Sequence, residues 1–174
     1  MGDGLKPENS FYAGTFQNFD GSNYTLTGLE SKLKGNGSSV SAFAGIGTNF
    51  TNGPDFVCDL KGSMNYDKTG IIGQNIRLRT KFNNNKQTFQ VRYSPLSINV
   101  PVGKNTSLYA NPHYCGQIST GGEWKHSAGV FAGATQKFGK NTNVSLEVQR
   151  YNLQDIKNNS GANWGVNATV SYKF

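Results

Sequence analysis

No stretch of this chain approaches the roughly 18 consecutive apolar residues that a membrane-spanning helix needs. Only 35% of its residues are hydrophobic. That excludes a helical span but not a spanning strand, which meets lipid with every second residue and so leaves a weak signal. Histidine and cysteine are scarce, with two of each. Acidic residues are few, 10 against 17 Lys and Arg, for a formal charge of +7. No basic cluster sits beside stacking aromatics on a nucleic-acid motif, so nucleic acid is not an expected partner. Anionic lipid, lipopolysaccharide or a merely solvated surface would each suit the charge. The start, Met1-Gly2-Asp3-Gly4, has neither the basic nor the apolar part of a signal peptide. Gly2 is not a myristoylation site either, because Lys6 stands where Ser or Thr is required.

Glycine and aromatic residues are what the chain has instead, 22 glycines and 12% aromatics. The glycines lack the three-residue period of collagen. Aromatic and β-branched residues recur along the whole length, which argues against disorder. The 174 residues suffice for one domain with a core. Residues 1–9 read as a polar tail and 10–174 as a single domain.

The clearest pattern is at the end. Trp164, Val166, Ala168, Val170, Tyr172 and Phe174 alternate without a slip against Gly165, Asn167, Thr169, Ser171 and Lys173. Period two is a strand with one apolar and one polar face. A final strand ending on Phe174, with Tyr172 two residues earlier, resembles that of a Gram-negative outer-membrane β-barrel. The resemblance is to an architectural class. It implies that the assembly machinery reads Tyr172 and Phe174 and that the chain is a mature exported segment carrying an added Met1.

Ten period-two segments can be read, at about 10–18, 23–33, 38–50, 55–66, 70–82, 86–102, 106–118, 124–138, 142–153 and 162–174. No convincing helix interrupts them. The second is ambiguous, because Leu26, Leu29 and Leu33 also suit a helical turn. In the sixth, Phe89, Val91 and Tyr93 are odd-numbered, whereas Ile98, Val100 and Val102 are even-numbered. A β-bulge at Ser94-Pro95 explains the slip, and proline cannot donate to the ladder there anyway. These segments predict an all-β, up-and-down antiparallel barrel of about ten strands. Eight is the alternative, should the second segment or the Pro95 region not pair.

The turns form two alternating sets. Residues 34–37, 67–70, 103–106 and 139–142 each hold a lysine, and the last two share the letters Gly-Lys-Asn-Thr. The other set, 18–23, 51–55, 83–86, 119–123 and 155–161, is richer in Asn, Gly and Asp and reads as generally longer. Outer-membrane barrels have this asymmetry of tight periplasmic turns and longer external loops, and an even strand count puts both termini on the tight side.

The polar face supplies the candidate lumen: Lys61, Arg77, Arg79, Lys81, Arg92, His113 and Glu147, with Lys125, Lys137, Lys173, Asp59 and Glu123 beside them. A ten-stranded barrel is little wider than one that side chains fill. The lumen is therefore either a salt-bridged plug or a small anion-preferring pore or acidic-ligand pocket. His113 and His126 fall on opposite faces and make no metal site. His126-Ser127 are strand neighbours whose side chains diverge, and no signature of an outer-membrane barrel enzyme is visible. Neither catalysis nor a cofactor is expected. Cys58 points outward and Cys115 inward, so no disulfide joins them. Tyr66, Phe82, Trp124, Phe138, Trp164 and Phe174 lie near strand ends, where interfacial girdles sit.

The expected function is a small outer-membrane barrel, structural and lipid-contacting, or a narrow pore with a basic lumen. Its expected partners are membrane lipid or lipopolysaccharide and the assembly machinery, and the pattern says nothing of oligomeric state. The alternative is a soluble lipocalin-like barrel that turns the same apolar face inward around a small hydrophobic ligand. A mean hydropathy of −0.54 keeps that alternative in play.

Overall fold

The computed structural model of the protein describes residues 6–18, 23–49, 53–83, 86–151 and 164–174. They hold ten strands: β1 (Lys6–Asn18), β2 (Asn23–Gly35), β3 (Ser38–Thr48), β4 (Pro54–Asn65), β5 (Ile72–Asn83), β6 (Lys86–Pro101), β7 (Thr106–Ser119), β8 (Lys125–Phe138), β9 (Thr142–Tyr151) and β10 (Trp164–Lys173). Each pairs antiparallel with its neighbours in the chain, and β1 closes on β10. Closure leaves the sheet no unpaired edge. The barrel is thus up-and-down with ten strands, not eight.

β2 is a strand throughout. Its ambiguity arose because Leu29 and Leu33 face out while Leu26 is buried inside the barrel. Strand β1 starts at Lys6, ahead of any hydrophobic alternation, within the stretch that reads as a tail; residues 1–5 of that stretch lie outside the described residues. Charge and ladder pairing hold this end. Glu8 bridges Lys34 of β2 at 2.6 Å and Lys173 of β10 at 2.9 Å, joining β1 to both neighbours.

The bulge in β6 is visible from both sides. Between Tyr93 and Ile98 β6 advances five residues while β7 moves four, from Tyr114 to Ala110. Against β5, Ser94 to Ser97 on β6 spans three steps and Asn75 to Gly73 two. One extra residue shifts the phase, which lets Phe89, Tyr93, Leu96 and Val100 all face out. The Tyr66 hydroxyl donates to the Pro95 carbonyl at 2.8 Å, giving the bulge a partner from the turn after β4.

Connection lengths separate the two ends less than composition suggests. Residues 36–37, 66–71, 102–105 and 139–141 join strands at one end; residues 19–22, 49–53, 84–85, 120–124 and 152–163 join them at the other. Only 152–163 is clearly longer. Of the second set, 19–22, 50–52, 84–85 and 152–163 lie outside the described residues. The two Gly-Lys-Asn-Thr quartets also differ in backbone, since Gly139 has φ +64° and Gly103 is not left-handed. They share a job at the asparagine. The Asn105 carbonyl accepts from Lys137 N–H and the Asn141 carbonyl from Lys173 N–H, each at 2.8 Å.

The outer surface is apolar. Leu29, Ile46, Leu60, Ile76, Leu146 and Val170 are all exposed around the wall. Phe82, Phe89, Trp124 and Trp164 lie at one end of this band, and Tyr66, Phe138, Tyr172 and Phe174 at the other. Strands run from 10 to 16 residues, enough for the roughly 9–11 that a tilted spanning strand requires. The lipocalin alternative is overturned by this orientation, because the apolar face lies outside.

Candidate functional site

The lumen begins with strand parity. Along β5, Arg77, Arg79 and Lys81 are successive inward residues, and Arg92 on β6 pairs in register with Arg77. Across β4, Asp59 pairs with Arg79 and Lys61 with Arg77. The Asp59 carboxylate is 1% exposed and takes both arginines. Arg77 Nε and Nη2 donate to its Oδ2 at 3.0 and 2.5 Å. Arg79 donates from Nε to Oδ1 at 2.6 Å and from Nη2 to Oδ2 at 2.8 Å. Two guanidiniums two residues apart repel, and this carboxylate is what allows them to share one face.

The other predicted lumen residues divide between different surroundings. Lys61 pairs with Glu30 at 2.9 Å, and Ser41 donates to the same carboxylate oxygen at 3.0 Å. Lys81 sits 3.9 Å over the Tyr24 ring. Arg92 lies 5.8 Å from the Phe131 ring. His113 is buried with its ring 5.4 Å from the same Phe131. Glu147 accepts from Gln149, Tyr109 and Asn167. The tyrosine reaches it across β8 only because Gly133 intervenes: a Cβ there would stand 2.7 Å from Tyr109 Oη and 2.3 Å from the Leu146 carbonyl. Glycine lets the ring lie flat on the wall.

The sequence reading missed an apolar wall inside the barrel. Leu26, Phe43 and Val57 form a buried cluster with Tyr12 and Tyr24 against it. Their neighbours Val40, Ala42, Ile46, Phe56 and Leu60 carry the outward alternation, which hides inward apolar residues among polar ones. The signal was present in phase alone: Phe43 and Val57 are odd-numbered, with Ser41 and Asp59.

Among the described residues the side chains leave a cavity toward each end of the barrel. The wider, about 810 Å³, lies toward Asn49, Asn83 and Ser119 and takes in Arg77, Arg79, Lys81 and Arg92. The narrower, about 500 Å³, lies toward Gly70, Asn105 and Lys137. Among the described residues they share no lining residue. Phe43, Asp59, His113, Phe131 and Glu147 sit at mid-strand and line neither. Of the residues predicted from sequence, four therefore meet at the wide cavity, while Lys61, His113 and Glu147 do not.

Cys58 is half-buried and Cys115 buried, both as free thiols. At the other end of the wall, Tyr172 pairs in register with Phe11 on β1, and Phe174 is 68% exposed, its N–H donating to the Asn9 carbonyl at 3.2 Å. In the turn after β4, Asp67 accepts from Thr69 Oγ1 and from the N–H groups of Gly70 at 3.0 Å and Ile72 at 3.4 Å. These bonds, that from the Thr69 hydroxyl foremost, hold its carboxyl below the usual carboxylate range.

No family model matches the chain. No curated protein sequence matches it either. Solved structures do. The β-domain of the Bordetella autotransporter BrkA is 12% identical over 99% of this chain and 100% of its own, with a TM-score of 0.53. The translocator domain of the autotransporter NalP from Neisseria meningitidis is 12% identical over 99% and 90%, with a TM-score of 0.49. The de novo designed barrel TMB2.3 is 17% identical over 100% and 98%, also with a TM-score of 0.49. At such identity the likeness concerns the fold, and the first of these carries it: a closed, ten-stranded antiparallel β-barrel similar to the autotransporter β-domain.

Proposed function

We propose that this chain is a small barrel of the Gram-negative outer membrane whose role is structural and lipid-contacting, with a lumen closed to through-flow at mid-height. The observation that carries the reading is the separation of the two cavities by mid-strand side chains, with Asp59 bonded to Arg77 and Arg79 among them. Lipid or lipopolysaccharide covers the apolar band between the two aromatic rings. The assembly machinery engages Tyr172 and Phe174 at the exposed end of β10. The protein is a wall and a vestibule, not an enzyme.

The test is conductance in planar lipid bilayers, after fractionation and heat-dependent gel mobility have shown a folded membrane species. The expected result is no steady channel. A steady anion-selective conductance would overturn the closed-lumen reading in favour of the narrow pore, which the cationic face of β5 and β6 favours.

A further inference from the structure

We propose that the wide cavity binds a small phosphorylated organic molecule that enters from the end of the barrel holding Asn49, Asn83 and Ser119. The proposal deepens the reading of a closed lumen and rests on it, since an anion that enters the vestibule stops there.

The first argument is charge. Arg77, Arg79, Lys81, Lys86 and Arg92 line the cavity, and among the described residues Asp55 is its one acidic lining residue. Asp59 and Glu147, just behind the lining, add two further carboxylates, Glu147 accepting from the lining residues Gln149 and Asn167. Five positive charges less three negative leave two uncompensated. Asp59 is committed to Arg77 and Arg79. Asp55 accepts from Tyr24 Oη at 3.0 Å and from Asn83 Nδ2 at 2.8 Å, neither of them cationic. Lys81 and Arg92 therefore have no carboxylate within ion-pair distance among the described residues.

The second argument is donor capacity. Arg92 lines the cavity, and its Nε, packed away from the open space, has no partner among the described residues. The Nη N–H groups of that guanidinium are donors for a phosphate or carboxylate oxygen. The surplus charge selects the dianion over the monocarboxylate, since a charge of −2 compensates more of the surplus.

The third argument is the opposite wall. Tyr12, Tyr24 and Leu26 line the same cavity from β1 and β2. A volume of about 810 Å³ exceeds what inorganic phosphate needs and falls within the roughly 300–1,000 Å³ of ordinary small-molecule sites. An apolar or planar organic group fits that wall while its phosphate faces β5 and β6. A phosphate of the surrounding lipid meets a closed wall, because each strand pairs with both neighbours and β1 closes on β10. Lys86 stands at the rim, six residues before Arg92 on β6, or about 20 Å along the strand. The rim lysine draws the anion in and Arg92 receives it deeper.

The experiment titrates the folded barrel in detergent micelles by calorimetry with phenyl phosphate, inorganic phosphate and phenol. Phenyl phosphate should bind at least ten-fold more tightly than either of the others. Arg92→Gln should weaken it at least ten-fold, Lys81→Gln at least three-fold, and Lys68→Gln, in a distant turn, should leave it unchanged. Heat-dependent gel mobility verifies that each variant is folded, and Lys81→Gln keeps the test decisive if Arg92→Gln misfolds. Phenyl phosphate binding no better than phenol, or binding undiminished in both folded lumen variants, would overturn the site. A failed closed-lumen reading shows separately, as steady conductance in bilayers whether or not phenyl phosphate binds.

Discussion

Replacing Leu60 by arginine puts a guanidinium on the outward side of β4 at mid-strand. Leu60 is 49% exposed on the bare protein and pairs in register with Ala42 on one side and Leu78 on the other. Its sequence neighbour Asp59 points through the wall into the lumen and cannot reach the new charge. In a bilayer, arginine at mid-depth on the lipid face costs about 2–4 kcal/mol, falling to about 0–1 near the interfaces. Met64, also outward but near the end of the same strand, supplies the shallow comparison. On a water-exposed surface either substitution would change stability by no more than about 0.5 kcal/mol. A cost of 2–4 kcal/mol is roughly a 30- to 700-fold change in the folding equilibrium. It corresponds to a guanidinium midpoint lowered by roughly 0.5–1 M. The assay is reversible guanidinium unfolding in lipid vesicles, followed by tryptophan fluorescence. Leu60→Arg should shift the midpoint by that amount and Met64→Arg by a quarter of it or less. Equal shifts, or none in either, would refute a lipid-facing wall.

Three further outcomes follow from other parts of the barrel. Asp59→Asn removes the carboxylate shared by Arg77 and Arg79 and should destabilise the barrel by about 3 kcal/mol, with Asp59→Asn/Arg77→Gln recovering part of the loss in the same unfolding assay. Phe174→Ala should reduce insertion into the outer membrane of cells while leaving refolding into detergent unchanged, as read by heat-dependent mobility; equal insertion would sink the assembly role of this residue. Asp67 has a depressed carboxyl pKa, so its contribution is present above the unfolded value and is lost as pH falls through the lower folded value. Asp67→Ala should therefore lower stability at neutral pH and flatten its acid dependence, and a parallel acid limb in wild type and variant would contradict the turn's hydrogen bonding.

Most of the wall was legible because strand geometry is local. Side chains alternate across a strand whatever it pairs with, so Trp164 to Phe174 announces both a strand and its two faces. The phase slip in β6 was readable for the same reason: a bulge changes parity in the chain itself. β2 was harder, since an inward Leu26 and outward Leu29 and Leu33 break the alternation. The strand at Lys6–Asn9 left no apolar signal at all, because Glu8 is held there by Lys34 and Lys173, distant in sequence.

The sequence by itself determined an antiparallel barrel whose strands carry one apolar and one cationic face, because periodicity depends only on backbone geometry; that the apolar face lies outside was decided by the tertiary structure. The sequence did not determine which cation meets which carboxylate, nor which residues line each cavity. Those depend on register between strands, and register is a non-local quantity. Only the tertiary structure decided that Asp59 takes Arg77 and Arg79, that Lys61 goes to Glu30, and that Lys81 and Arg92 face a cavity whose far wall is Tyr12, Tyr24 and Leu26.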